Sequence, residues 1–484
     1  MKLDQNNKRL MLIGGELVAS RSGNWIASVN PATEEIIGHV PAGNAEDVDL
    51  AAAAALAAFP AWHALGVDGR AQKLRELARR LGERAEEILA VEVADTGNTV
   101  KSLQGDVAAA IWNLEYYAGL GYEIKGETIP ATPGNLHFTL REPYGVVGRI
   151  VPFNHPILFA VARTAAALMA GNTVVVKPPE TSPLSATIYA EICRDVLPPG
   201  VMNIVTGWGR DAGDAIARHP DIRRIAFIGS PTTGRMIQRS AAEVCVKNIT
   251  LELGGKNPMI VFPDADLEKA KAAAIKGMNF AWQGQSCGST SRLFLHDSIY
   301  EDFLADVIRG ARALKLGSPD DPASDMGPIN SRTHYDKVLS YVDVARADGA
   351  RLVAGGGRPA GAAFERGYWL EPTVFADVTP DMRIAREEVF GPILSVMRWS
   401  DVDDLVRHAN SVEYGLTASV FTSDITAALS LANRLETGYI WINGVGSHYH
   451  GVPYGGYKNS GVGREESIDE LLGYTQLKAI NIML

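Results

Sequence analysis

From residue 146 onward the chain alternates short apolar runs with stretches of helical periodicity. Residues 147–151, 172–176, 201–205 and 224–228 read as strands, with 157–169, 183–196, 212–218 and 232–242 as the helices between them. Such short, uniformly apolar runs suit strands buried on both faces, so the pattern predicts a parallel sheet covered by helices, an architecture suited to nucleotide binding. Beyond residue 252 the alternation resumes. Strands are expected near 292–295, 393–398, 418–421 and 438–442, and helices near 267–280 and 299–314, which predicts a second α/β domain.

The flanks differ in character. Residues 10–18 read as a hairpin because Gly14 and Gly15 sit between apolar stretches, and Asn44 caps a helix with Glu46 and Asp47 in its first turn, an alanine-rich body and an expected end near Pro60. Helices are expected over 72–92 and 103–117. Residues 136–141 alternate polar with apolar, the signature of a half-buried strand. The last strand, 475–482, has no local partner and is expected to cross to another subunit. Residues 320–330 and 354–367 read as loops.

Composition narrows the function. At 484 residues, 46% of them hydrophobic and 21% charged, the chain is long enough for two or three globular domains. A net charge of -10 speaks against a nucleic-acid surface. Three cysteines, Cys193, Cys245 and Cys287, lie at no CxxC or Cys/His spacing, which argues against a disulfide framework and against structural zinc, and no metal is expected. The polar first residues lack the apolar core of a signal peptide, and nowhere do about eighteen uncharged apolar residues run together. A soluble, cytoplasmic protein with no membrane partner is expected.

Two segments carry the candidate chemistry. Gly284-Gln285-Ser286-Cys287-Gly288 offers a thiol between small neighbours, and Leu251-Glu252-Leu253-Gly254-Gly255-Lys256 offers a carboxylate. A thiol attacks only as thiolate and needs activation. Taken singly, Cys287 reads as a small core residue and Glu252 as a surface acid. Lys177 and Glu180 follow a strand, where a carboxylate can accept from ribose hydroxyls and disfavours a 2'-phosphate. Gly229-Ser230 opens a helix whose free amides suit a pyrophosphate, although the same residues make an ordinary helix cap. Asn154, at a strand end, can aim its amide at an oxyanion or bond its own backbone.

These segments resemble those of the aldehyde dehydrogenase superfamily. The resemblance extends, in family order, through Val151-Pro152-Phe153-Asn154-His155-Pro156, Val176-Lys177-Pro178-Pro179-Glu180, Phe227-Ile228-Gly229-Ser230, Glu387-Glu388-Val389-Phe390-Gly391-Pro392 and Tyr454-Gly455-Gly456-Tyr457-Lys458-Asn459-Ser460-Gly461. It implies an aldehyde dehydrogenase-like α/β fold: a Rossmann-type NAD-binding domain from 1–123 and 143–251, a catalytic domain over 252–450, and a small β oligomerisation element from 124–142 and 451–484, in a homodimer or homotetramer. It further implies Cys287 as nucleophile, Glu252 as general base and Asn154 as oxyanion donor. The implied NAD site comprises Val151, Pro152, Phe153, Lys177, Glu180, Gly209, Gly213, Phe227, Ser230, Thr233, Leu253, Glu388 and Phe390.

On this reading a small-molecule aldehyde adds to Cys287, hydride passes to NAD, and Glu252 activates water to hydrolyse the thioester. Family members that pass the acyl group to coenzyme A generally lack this Glu, so a free acid is the expected product. Phe153 stands where the family usually has Trp, and His334 where it often has Gln. The resemblance lines the substrate tunnel with Ala109, His155, Ala162, Ala281, His448 and Tyr454, small and polar residues that suit a bulky, aromatic or polar aldehyde. Arg163 is either a further tunnel donor or the partner of a carboxylate such as Glu465. Two other functions remain open at this point: a cofactor-independent cysteine esterase or thioesterase, and a noncatalytic structural oligomer.

Overall fold

The computed structural model describes residues 3–484 and is built on two large sheets. In the 8-stranded sheet five neighbouring strands run parallel, in the order Met202–Ile204, Thr173–Lys177, Val146–Ile150, Ile222–Ile228 and Asn248–Glu252. The sequence places four of these. The hairpin Met11–Ile13 and Glu16–Val18, turned by Gly14 and Gly15 at positive φ, extends one edge through Leu12 opposite Ile204. Gly461–Val462 closes the other edge antiparallel to Leu251 and Glu252, so this stretch of the region expected to serve oligomerisation lies in the first sheet. The 7-stranded sheet has the order Arg351–Ala354, Thr373–Ala376, Ile393–Trp399, Arg292–His296, Pro258–Val261, Thr417–Phe421, Tyr439–Ile442. All its neighbours are parallel except the first pair. Pro258–Val261 escapes the sequence pattern because it is four residues long and starts with proline, a poor strand signal. Among the described residues no single helix is long and apolar enough to cross a membrane.

Three expectations are corrected. The helix capped by Asn44 runs from Ala45 to Ala64, straight through Pro60. Pro60 lies on the exposed face, so the carbonyl it deprives of a donor can turn to water. The final turn is pinned from inside, where Trp62 Nε1 donates to the Leu168 carbonyl at 3.2 Å and Arg70 donates to the His63 carbonyl at 3.0 Å. The stretch 72–92 is two helices, Gly66–Glu83 and Ala85–Thr96, broken at Arg84, whose side chain reaches across to Glu191 at 2.7 Å.

The last strand, Thr475–Ile482, does not lack a partner within its own chain. It pairs antiparallel with Leu136–Pro143 along its whole length, from Thr475 opposite Pro143 to Ile482 opposite Leu136, and Thr128–Ile129 completes a small sheet. Tertiary anchoring brings it there. Arg163, on the helix Pro156–Met169, binds Glu466 at 2.8 Å and Glu470 at 3.4 Å, and Asn172 donates to the Tyr474 carbonyl at 3.0 Å, which delivers Thr475 to Pro143. Such long-range contacts leave no local trace in the sequence.

Gly461 shows how closely the C-terminal loop fits the first sheet. It holds φ +138, and a Cβ there would stand 1.9 Å from the Leu251 carbonyl oxygen. Gly461→Ala is therefore expected to cost at least about 2 kcal/mol in denaturant unfolding and to displace Glu252. Gly105→Ala, on an exposed helix position with open space around it, is expected to stabilise by about 0.5–1 kcal/mol. Equal stability of the two variants would contradict this fit.

Candidate active site

The carboxyl ends of the parallel strands Thr173–Lys177, Val146–Ile150 and Ile222–Ile228 lie side by side, and the segments that leave them carry most of the residues singled out from the sequence. Open α/β sheets bind ligands at this end. Lys177 donates to Glu180, and Val151 N–H donates to the Lys177 carbonyl at 3.0 Å, locking the two loops together. Burial pushes the Lys177 ammonium down. At Glu180 burial opposes ionisation, but Lys177 outweighs it and the carboxyl titrates below its usual range. Ser230 accepts from Thr233 N–H at 3.2 Å and so caps the helix Pro231–Ala242. Gly209 and Gly213 bound one wide helical turn, with Gly209 close to the Glu180 carboxylate and open space beside Gly213.

Across the cleft, Glu388 accepts from Gly255 N–H at 2.9 Å, and a Cβ on Gly254 would collide with the same carboxylate. Burial raises the Glu388 carboxyl to about 7. Phe390 packs its ring 5.8 Å from Phe153, and His334 joins both, 5.4 Å from Phe153 and 5.9 Å from Phe390. His334 Nε2 lies 2.7 Å from the Phe390 carbonyl oxygen, and burial drives its ring pKa to about 4. The ring is thus neutral with the proton on Nε2. Pro152 and Phe227 flank this region on the same strand ends. The carboxylates of Glu180 and Glu388 and the helix start capped by Ser230 are groups of the kind a dinucleotide site uses.

The thiol and the second carboxylate meet on consecutive residues of the C-terminal loop. Cys287 Sγ lies 3.9 Å from the Tyr454 hydroxyl, while Glu252 Oε1 lies 2.9 Å from where a Cβ would stand on Gly455. Both Glu252 oxygens are buried with no hydrogen-bond partner in the structure. Burial first, and Glu465 second, raise its pKa well above the usual range, against the lowering influence of Arg163. The Cys287 thiol is pushed up to about 12, by burial foremost and then by the Glu388 charge. At neutral pH the Cys287 thiol holds its proton.

Several positioning contacts were not read from the sequence. Asn257 Nδ2 donates to the carbonyls of Cys287 at 2.7 Å and Ser289 at 2.9 Å, fixing the thiol-bearing loop to the second sheet. Ser460 clamps the segment of Glu252: its carbonyl accepts from Leu253 N–H at 2.9 Å, and its hydroxyl donates to the Gly254 carbonyl at 2.6 Å. Asn154 is buried at the start of the helix Pro156–Met169, with its carbonyl accepting from Asn98 at 3.0 Å. Asn257 and Ser460 sit inside or beside segments already quoted, which is the only signal that could have found them.

Of the tunnel residues, His448 and Tyr454 lie 4.7 Å apart with their rings tilted by 41°, beside Tyr439 and Trp441, and Cys287 packs against Tyr439, Trp441 and Tyr454. His155 lies beside Trp282, the neighbour of Ala281. Ala109, on the helix Val100–Gly119, is partly buried. Ala162 is fully buried and offers no surface. Arg163 is spoken for: besides Glu466 and Glu470 it binds Glu465 at 2.9 Å. It pairs as one of its two sequence readings holds and is no free donor in the tunnel.

The Glu388 charge gives a test of this electrostatic arrangement. Removing a negative charge beside a thiol lowers its pKa, so Glu388→Gln is expected to raise the thiolate fraction of Cys287 at a fixed pH. Glu388 itself ionises near 7, so the gain in alkylation rate by iodoacetamide should be clear at pH 8.5 and small at pH 6. An unchanged rate at pH 8.5 would show that the two groups do not interact.

Comparison with known proteins agrees with this geometry. Residues 17–480 match the model of the aldehyde dehydrogenase family. The chain is 47% identical to aldehyde dehydrogenase tropH of Talaromyces stipitatus, over 94% of this chain and 90% of that protein. It is 44% identical to hydroxyisobutyraldehyde dehydrogenase of Mycolicibacterium austroafricanum, over 98% and 94%. The NAD+ complex structure of aldehyde dehydrogenase from Bacillus cereus superposes with a TM-score of 0.95 at 39% identity, covering 99% of this chain and 97% of that one. With Cys287 and Glu252 brought against adjacent residues of the C-terminal loop and a family model matching nearly its whole length, this chain belongs to the aldehyde dehydrogenase family.

Proposed function

We propose that this protein oxidises an aldehyde to the free carboxylic acid with NAD, Cys287 carrying the acyl group and Glu252 activating the water that releases it. The observation that supports this most is the convergence of a thiol and a buried, unpartnered carboxyl on Tyr454 and Gly455.

Lys177, Glu180, Gly209, Gly213, Ser230, Thr233 and Glu388 would hold NAD, with Val151, Pro152, Phe153, Phe227, Leu253 and Phe390 lining its bed. Bound there, NAD supplies a hydride acceptor. Cys287 Sγ, once deprotonated, forms a bond to the aldehyde carbon, and the carbonyl oxygen becomes an oxyanion. Asn154 and the Cys287 N–H donate to that oxyanion, and each preorganised donor of this kind is worth roughly 3–4 kcal/mol of barrier. Once the carbon has been oxidised, the acyl group remains on Cys287. Glu252 then takes a proton from water, the resulting hydroxide attacks the acyl carbon, and the Cys287 sulfur leaves as thiolate. The raised pKa of Glu252 suits a base that must also return its proton.

The ionised Glu180 supports NAD over NADP, because a 2'-phosphate would meet a carboxylate. Aromatic Tyr439, Trp441, Tyr454 and His448 beside the thiol, with the small Ala281 nearby, support a bulky, aromatic or polar substrate. Thr475–Ile482 is the unpaired edge strand of its sheet and exposes Leu477 on one face and Ile482 on the other, which supports a homodimer or homotetramer formed there. Three cysteines without disulfide partners fit a cytoplasmic setting. The 8-stranded sheet would belong to the NAD-binding domain and the 7-stranded sheet to the catalytic domain.

Cys287→Ala is expected to reduce NADH formation from any aldehyde to background, followed by absorbance at saturating NAD, while the protein stays folded. Substantial residual turnover would remove the thiol from the reaction.

A further inference from the structure

His155 is held in a manner that the reaction above does not require. Its Nδ1 lies 2.7 Å from Asp106 Oδ2, with the two side chains only 14% and 8% exposed. Glu92, fully buried close by, is pushed well above its usual pKa by burial, with Asp106 and Asp95 adding to the effect. A carboxylate only accepts hydrogen bonds. In the neutral ring Nδ1 therefore carries the proton, and Nε2 presents a lone pair that meets no donor among the described residues.

The position of that lone pair is as informative as its chemistry. His155 follows Asn154 directly, and its ring stands 5.5 Å from Phe159 and 5.5 Å from Trp282, which belongs to the short helical turn leading into Cys287. A single acceptor is thus set among aromatic rings, between the segment of the oxyanion donor and the segment of the thiol. Apolar walls favour a flat ring, and an acceptor that can find no donor in the protein favours a ligand that brings one.

We propose that His155, oriented by Asp106, is a specificity-determining residue that accepts a hydrogen bond from a hydroxyl group on an aromatic aldehyde. This rests on the aldehyde-oxidising reading of the site and names its substrate class. His155 contacts the substrate, while Asp106 is a positioning residue that fixes the tautomer.

The test compares hydroxybenzaldehydes with the corresponding methoxybenzaldehydes, which keep the ring and the oxygen but lose the donor. For at least one ring position kcat/KM is expected to favour the hydroxy compound by about tenfold. His155→Leu should bring that ratio close to one, Asp106→Ala should lower it, and His155→Gln, which restores an acceptor, should recover some of it. A ratio near one in the native enzyme, a ratio unchanged by His155→Leu, or no recovery in His155→Gln would overturn the proposal. Calorimetric binding of hydroxybenzoate against methoxybenzoate to the native protein gives a second readout that needs neither turnover nor a variant. Tighter binding of the hydroxy acid at that same ring position supports the proposal, and equal binding overturns it. Failure of the aldehyde-oxidising reading would show separately, as no NADH from any of these aldehydes.

Discussion

The Arg163 guanidinium is the tie on which the site depends. Buried on the helix that follows Asn154, it binds Glu465, Glu466 and Glu470, and Arg149 from the first sheet adds a second contact to Glu465 at 3.0 Å. A buried cation with its carboxylates removed is strongly destabilising, so this cluster holds the C-terminal segment as a unit rather than residue by residue. Glu466 shows the strength of the hold: although burial opposes ionisation, His448 and Arg163 keep its carboxyl down at about 2. Everything the C-terminal segment delivers to the site follows from that anchoring. Tyr454 pairs with Glu465 through two backbone hydrogen bonds, Gly455 meets Glu252, and Ser460 clamps the Glu252 segment.

The same charges set the resting state of the chemistry. Burial raises the Glu252 carboxyl most, and Glu252 lies close enough to the cluster to feel Glu465 as a further raising influence and Arg163 as a lowering one. Cys287 is kept as a neutral thiol, unreactive until a ligand changes its surroundings. A rigid scaffold thus surrounds a neutral thiol and a buried carboxyl of raised pKa, the two groups to which the proposed function gives the chemistry. On that physical basis a site can be stable toward oxidation and still reactive when filled.

Much of this was legible in the sequence because local signals and distant demands agreed. The short apolar runs predicted the parallel strands, since strands buried on both faces must be apolar throughout, and the segments around Glu252 and Cys287, singled out by their residues, are brought against one loop by the fold. Where tertiary contacts overrode local preference the sequence misled. Pro60 looked like a helix end because nothing local reveals that Trp62 is pinned to Leu168. Residues 475–482 looked unpartnered because their partner lies more than 300 residues away, at 136–143. Arg163 had two possible roles, and only the folded chain shows three carboxylates around it. The pairing of His155 with Asp106 was invisible because Asp106 lies within one helix and His155 at the start of another, brought together only by packing.

The account stands or falls on an acyl group carried by Cys287 and released through Glu252. Its most direct measurement is intact-protein and peptide mass spectrometry of Glu252→Gln, quenched in acid seconds after mixing with NAD and an aromatic aldehyde. The expected result is the acyl mass added to the peptide that contains Cys287, in amounts approaching one per chain and well above those of the unmodified enzyme. An enzyme that forms NADH under these conditions with no acyl mass on Cys287 would contradict the account.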